Sequence, residues 1–418
     1  MATLMLLGGS NCQLSAARTA KAMGHRLILA DYLPNPPAAA LCDRHERVST
    51  FDTEACIRAA RSHRIDGVFT VGTDQPVYTA ARVAKALELP SPITVETALR
   101  ATNKRAMKEA FRREGVPHAP FAYLRRGQGE EALAGLTPPL VIKPLDSQGQ
   151  RGVFRVTTAR QALERLEETL SFSREDAALV ETFYPSDEVT LSAWAHHGRV
   201  YPLMLTDRQL LNDPVHIGVC AAHRYPSIHA PQAAEINRIA WDVARALGAM
   251  EGPLYIQLLI GARGVWVNEA ACRLGGAFED VIIPHLTGFD MLRAVIGEAL
   301  GQPVPTDALE RPQAAAPGFQ ASVQMLFCKP GTVAAYTAVK ELLTLPGVLA
   351  AGYNYPVGAR LSAMENATAR FGHCVLTTDR GDMDARVRAL YRALRIEDAR
   401  GDNLAIPRTY DGEGLSDA

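Results

Sequence analysis

Residues 254–270 restrict what this chain can become more than any other stretch. Two apolar runs flank Gly261-Ala-Arg-Gly264, and a three-residue loop with glycine in the left-handed position is a standard hairpin closure. With Ala262-Arg263-Gly264 as that loop, Gly261 pairs with Val265, and counting outward sets Gln257 opposite Glu269. The two-residue period of a strand puts both on one face, as neighbours across the ladder. Ile256, Leu258, Val265 and Val267 make this a buried sheet rather than a surface ribbon. Two oxygen-bearing side chains facing each other there suit a hard cation, Mg2+ or Mn2+, which also takes water and phosphate oxygens.

The residues beyond the hairpin extend the theme. Cys272-Arg-Leu-Gly-Gly276 joins an arginine to paired glycines. Glycines let backbone N–H groups approach an anion, and the guanidinium adds a fixed fork. Lys143 ends the apolar strand Leu140-Val-Ile and precedes the glycine-bearing loop Asp146-Ser-Gln-Gly-Gln-Arg-Gly152; Lys104 opens a helix expected from Thr102 to Glu114. A lysine at the end of a buried strand beside a flexible loop is placed for phosphate, and the set together suits phosphoryl transfer.

Upstream, residues 1–95 alternate apolar strands (Leu4–Leu7, Leu27–Ala30, Asp66–Val71) with helical stretches such as Pro76–Leu87. That alternation predicts a doubly wound parallel sheet. Gly8-Gly9-Ser-Asn lacks the third glycine of a dinucleotide fingerprint, which argues against a nicotinamide oxidoreductase. Residues 96–310 mix strands and helices, with a helix expected over Ala233–Leu247. A Pro- and Ala-rich stretch near 310–318 reads as a linker to a small α+β module over 311–400. Residues 401–418 are polar and read as a mobile tail. Basic and acidic residues balance at 44 against 45, so no field draws nucleic acid or an anionic membrane. No apolar run is long enough to span a bilayer. Seven scattered cysteines without a Cys-x-x-Cys pair fit reduced thiols and a cytoplasmic protein.

Thr102-Asn-Lys104, Val141-Ile-Lys-Pro144 with its loop, Val180-Glu-Thr-Phe183 followed by Asp187-Glu188, and Val267-Asn-Glu269 through Arg273-Leu-Gly-Gly276 occur in the order seen in the ATP-grasp superfamily. The chain resembles its carboxylate–amine (L-amino-acid) ligases and its carbamoyl-phosphate-synthetase-like members over nearly its whole length. The resemblance implies an N-terminal α/β domain (1–95), a central grasp of two α+β subdomains (96–310) and a ligase-type C-terminal domain (311–400). It implies that Lys104 and Lys143 contact ATP phosphates and that the loop carrying Ser147, Gln148, Gly149 and Gly152 closes over them. Glu181, Thr182 and Phe183 would form the hinge whose backbone reads adenine, and Glu188 would bind the ribose. Gln257 and Glu269 would hold Mg2+, while Arg273, Gly275 and Gly276 stabilise charge on the reacting carboxylate.

Two positions depart from the family pattern. Gln257 stands where glutamate is usual, and Ala271 replaces the asparagine two residues after Glu269. The substrates expected are a small carboxylate and an amine, amino-acid-like, with His216, His223, Arg224 and Arg370 as candidate contacts and a homodimer as the family-level assembly. The leading expectation is a ligase that activates a carboxylate as an acyl phosphate and forms an amide, releasing ADP and phosphate. The alternatives are chemistry through carboxyphosphate and a weakened nucleotide-binding protein.

Overall fold

The computed structural model describes residues 1–211, 217–312, 315–408 and 410. Near the N-terminus β1 (Thr3–Leu7), α1 (Leu14–Ala22), β2 (Arg26–Ala30), β3 (Arg44–Glu46), α2 (Thr53–His63), β4 (Gly67–Phe69) and α3 (Gln75–Leu87) follow in turn. The four strands form a parallel sheet in the order β3-β2-β1-β4. Alternate residues serve opposite faces: Met5, Leu7, Ile28 and Ala30 pack on α2 and α3, while Leu4, Leu6, Leu27 and Leu29 pack on α1. Burial on both faces is why these strands read as unbroken apolar runs.

Next come α4 (Val95–Thr102) and α5 (Lys104–Glu114). A single cap from Thr102 was expected; instead Asn103, extended at φ −115°, breaks the two helices apart. Its Oδ1 accepts from Ala106 N at 3.1 Å, satisfying one of the donors a helix start leaves open. Then β5 (Phe121–Arg125), β6 (Leu140–Pro144), β7 (Phe154–Val156), α6 (Ala159–Leu170) and β8 (Ala177–Thr182) build an antiparallel sheet ordered β5-β8-β6-β7. Leu166 and Ala162 of α6 cover its Ile142 and Val180.

The remainder is one large antiparallel sheet. It comprises β9 (Asp187–His196), β10 (Arg199–Leu210), β11 (Cys220–Tyr225), β12 (Gly252–Gly261) and β13 (Gly264–Ala271), with α7 (Ala233–Leu247) interposed. After α8 (Glu279–Thr287) and α9 (Met291–Ala299), β14 (Gln320–Leu326) pairs with β11, and the strands Gly372–Thr378 and Val348–Tyr353 follow it. The strands past the linker thus continue the central sheet, although residues 326–410 also have a core of their own around Phe371, Leu390 and Ile396. One face of β9 and β12 packs Leu191, Leu254 and Ile256 against Phe111 of α5 and Ile239 and Val243 of α7. The other face carries Glu188, Thr190, Arg208 and Gln257.

Two sequence expectations change. The β12–β13 loop is Ala262-Arg263, because Gly261 pairs with Gly264. The register then runs to Leu258 opposite Val267 and shifts, so that Gln257 still meets Glu269. Asn268 is the extra residue of a bulge, a device that re-aims side chains where it occurs. Residues 401–408 are seated rather than loose: Lys329 N donates to Leu404 O at 2.7 Å and Ile406 N to Phe327 O at 2.9 Å. Leu404, Ala405 and Tyr410 join the C-terminal core, a set of apolar anchors hidden in a polar stretch. Residues 409 and 411–418 lie outside the described residues, as does the expected contact His216. All seven cysteines are free, and among the described residues no helix is long and apolar enough to cross a membrane.

Candidate functional site

Between the β5–β8 sheet and the large sheet lies a cleft of about 290 Å³. Lys104, Lys143, Glu181, Glu188, Gln257 and Glu269 all reach it, as do Ser147, Gln148, Gly149, Thr182 and Phe183. Gly152 does not line it; there φ is +69° and an added Cβ would lie 2.8 Å from the Phe172 ring, so glycine serves the loop's own turn.

At the cleft floor is a buried ion network. Glu181, 4% exposed, receives Lys143 on one carboxylate oxygen and Lys108 on the other, the latter at 2.7 Å. Lys143 also donates to Asn268 Oδ1 at 3.1 Å, so the bulge residue is part of the same network. Burial pushes the Glu181 carboxyl up, but the two ammonium groups outweigh it and hold it at about 2. Burial conversely depresses Lys108, against the pull of Glu181. Glu181 was expected in a hinge whose backbone reads adenine, and its carboxylate faces the two lysines. The neighbouring N–H groups are spent as well, Thr182 N on Pro120 O and Phe183 N on Pro139 O at 3.0 and 2.8 Å.

Higher on the wall, Glu188 accepts from Arg208 Nε at 3.0 Å, and Arg208 Nη2 donates to Gly218 O at 3.3 Å. Lys104 donates to Ser147 O at 2.7 Å and stands 4.0 Å from Glu269. Burial works to raise Glu269, but Lys104, Lys143, Arg208 and Arg273 together hold it below the usual carboxylate range. It therefore remains an anion facing the amide of Gln257. Ala271, opposite Tyr255, offers no donor atom.

Arg273 lines a small recess beside the cleft with Lys104, Tyr255 and Glu269. Its guanidinium grips Asp74 of the first sheet's loops, with Nε 2.7 Å and Nη2 2.5 Å from one oxygen. The following glycines make room for protein neighbours. A Cβ on Gly276 would sit 2.7 Å from Gly72 O, and one on Gly275 would collide with the Glu279 carboxylate. Glu279 is buried, and burial pushes it up to about 7.

The substrate candidates fare unevenly. His223 is buried, bonded through Nδ1 to Thr206 Oγ1 at 2.9 Å, and burial followed by Arg208 and Arg370 pushes it well below its ordinary value. Arg224 stacks on the Tyr410 ring at 4.9 Å. Neither lines the cleft. Arg370 does not line it either, but its Nε is buried with no hydrogen-bond partner, and its charge is felt by Cys12, Cys220 and His223.

Comparison with known proteins places this arrangement. Residues 324–399 match the family model for the L-amino acid ligase C-terminal domain 2. A formate-dependent phosphoribosylglycinamide formyltransferase of Synechocystis sp. is 26% identical over 367 residues, 82% of this chain and 86% of that protein. The crystal structure of an L-amino acid ligase from Bacillus licheniformis superposes with a TM-score of 0.79 at 19% identity, covering 95% of this chain and 99% of that one. A phosphoribosylglycinamide synthetase from Anaerococcus prevotii gives 0.74 at 17%, covering 94% and 99%. These matches support the resemblance to the ATP-grasp ligases that the ordered motifs suggested. The charged residues of the cleft stand on the elements that the ordered motifs marked.

Lys108 in the cleft and Arg208 beside it escaped sequence reading, as did the partner of Asp74, a residue expected on the sheet edge that ligands favour. Lys108 sits one helical turn after Lys104, and that i,i+4 spacing was the available signal. Arg208 lies near the end of β10, a strand hidden by Pro202, where its pairing to β9 shifts. Asp74 follows Thr73 in a loop whose partner, Arg273, is 199 residues away.

Proposed function

We propose that this ATP-grasp enzyme is an ATP-dependent carboxylate–amine ligase. ATP would lie in the cleft with its phosphates toward Lys104 and Lys143, under the loop 146–152. The donor set suits a hard cation: Glu269 is held anionic, and Gln257 presents a neutral oxygen across the ladder. Mg2+ held by these two would offset charge on phosphate oxygens. With alanine at 271, the protein supplies two side-chain oxygens here, and the remaining coordination falls to water and phosphate.

The observation that carries the acid half of the reading is Arg370. It stands in the segment that matches the ligase family model, and a buried guanidinium nitrogen without a partner is costly unless an anion completes it. A substrate carboxylate is such an anion. Arg273, fixed by Asp74 at the recess between Lys104 and Tyr255, would hold charge that builds on the acyl group as phosphate is transferred and as the amine attacks.

The test is phosphate release from MgATP against amino acids singly and in pairs, with formate as a further acid, followed by mass spectrometry. Release that needs both an acid and an amine, with a condensed product, supports the ligase. Release with bicarbonate alone would replace it by the carboxyphosphate reading. Nucleotide binding without turnover for any pair would replace it by a binding protein.

A further inference from the structure

Far from the cleft, the hairpin joining β9 to β10 gathers two imidazoles on a carboxylate. His196 pairs with Arg199, which leaves His197-Gly198 as the turn, at φ 50° and 74°. Positive φ at both positions is the turn that matches strand twist, and histidine is an uncommon choice for the first of them. Trp241 of α7 pins the turn, its Nε1 donating to Gly198 O at 3.3 Å. Glu251 stands just ahead of β12, whose Gly252 pairs with Ala195. One Glu251 oxygen lies 2.8 Å from His196 Nδ1, and the other lies 3.2 Å from His197 Nδ1 and accepts from His197 N at 2.9 Å.

We propose that His196, His197 and Glu251 form a binding site for a zinc-class transition-metal ion. Among the described residues they are the one group of three such side chains whose ligand atoms converge, all within 4.8 Å. Ligands held tetrahedrally at zinc distances are separated by about 3.4 Å, so the two nitrogens and the carboxylate need only small shifts to share an ion in place of the protons between them. Zinc rather than magnesium follows from the imidazoles, which a hard cation avoids.

Glu298 supplies an independent observation. Its Oε2 is buried without a hydrogen-bond partner, and it lies 3.2 Å from where a Cβ on Gly252 would be, next to Glu251 in the chain. A second carboxylate set near the first, one of its oxygens without a hydrogen-bond partner, is an environment that a cation relieves. His197 is open to solvent, its side chain 81% exposed, which provides the entry path.

This site is separate from the cleft. Glu188 and His196 stand near opposite ends of β9, about 26 Å apart at strand rise. An ion there would tie the β9–β10 turn to the start of β12, the three strands that carry Glu188, Arg208 and Gln257.

The experiment uses the full chain, stripped of metal and titrated with ZnCl2 by calorimetry in excess Mg2+, then with CoCl2 by visible absorption. Wild type is expected to bind one zinc ion and to give the d–d bands of tetrahedral cobalt. His197→Asn keeps a residue that tolerates the left-handed turn and is expected to weaken zinc at least about tenfold, since even outer-shell losses cost that much. Glu251→Gln should do the same. Equal affinity in wild type and both variants would move the zinc elsewhere, to thiols for instance, and overturn the proposal. So would the absence of zinc uptake by wild type.

Discussion

Replacing Glu181 by glutamine removes the one carboxylate paired directly with two buried ammonium groups among the described residues, Lys108 and Lys143, and leaves them only the more distant charge of Glu269. The size of the effect follows from the carboxyl itself. Its ordinary value is 4.5 and in the fold it stands at about 2, a difference that corresponds to about 3 kcal/mol. For a carboxylate depressed in this way, the stabilisation is complete above 4.5 and is lost as pH falls through about 2. Breaking a buried pair by deleting one partner costs about 3–5 kcal/mol, in agreement. Glu181→Gln is therefore expected to lose about 3–5 kcal/mol at pH 7, and the gap to wild type should narrow by about 3 kcal/mol in strong acid. Urea unfolding followed by tryptophan fluorescence at about pH 7, 5 and 2 measures this, since Trp266 reports from β13 beside Tyr184. A loss below about 1 kcal/mol at pH 7, or one that stays constant with acid, would refute the claim that charge holds this network together.

Glu279 has the opposite sign. Raised by burial from 4.5 to about 7, it contributes stability that is complete below about 4.5 and declines as pH rises through 7, so Glu279→Gln should abolish a loss of about 3 kcal/mol that wild type shows between pH 5 and 8; parallel melting curves would contradict this. Gly276→Ala places a Cβ against Gly72 O and should cost about 1–3 kcal/mol in thermal or urea unfolding. Lys143→Ala should abolish nucleotide turnover while the fold, read by circular dichroism, persists on the remaining Lys108–Glu181 pair; undiminished turnover would remove Lys143 from the site.

What the sequence revealed depended on how local the cause was. The helix over Ala233–Leu247 is set by its own apolar stripe and ended by Gly248, and it was legible to the residue. The hairpin was legible as a hairpin, and its turn was not, because a two-residue and a three-residue closure of Gly-Ala-Arg-Gly differ only in backbone twist. Gln257 still met Glu269, since the bulge at Asn268 restored the register that the shorter turn had shifted. The charged partners were the least legible. That the Glu181 carboxylate meets lysine is decided by Lys108 of α5 and Lys143 of β6, and nothing in Val180-Glu-Thr-Phe183 reports on α5. The paired glycines after Arg273 were read as room for a ligand, while the neighbours that crowd them here are Gly72 and Glu279.

The loop 146–152 shows how these distant parts become one site. Gln148 Oε1 accepts from Asp74 N at 2.8 Å, and Gly149 O accepts from Ala367 N at 3.1 Å. Asp74 also holds Arg273, and the turn 366–370 that supplies Ala367 also carries Arg370. The loop over the cleft is therefore fastened at one point to the residue that positions Arg273 and at another to the segment that presents Arg370. On the proposed reading, a nucleotide that favours the fastened loop also favours the arrangement that receives the acid. Gln148→Ala removes one fastening, worth about 1 kcal/mol as a single hydrogen bond. It is expected to weaken a non-hydrolysable ATP analogue about fivefold in calorimetry, with the Glu181 network untouched and the unfolding midpoint unchanged. An unchanged affinity would mean that the loop closes without Asp74, and the link from nucleotide to Arg273 would have to run through Lys104 alone.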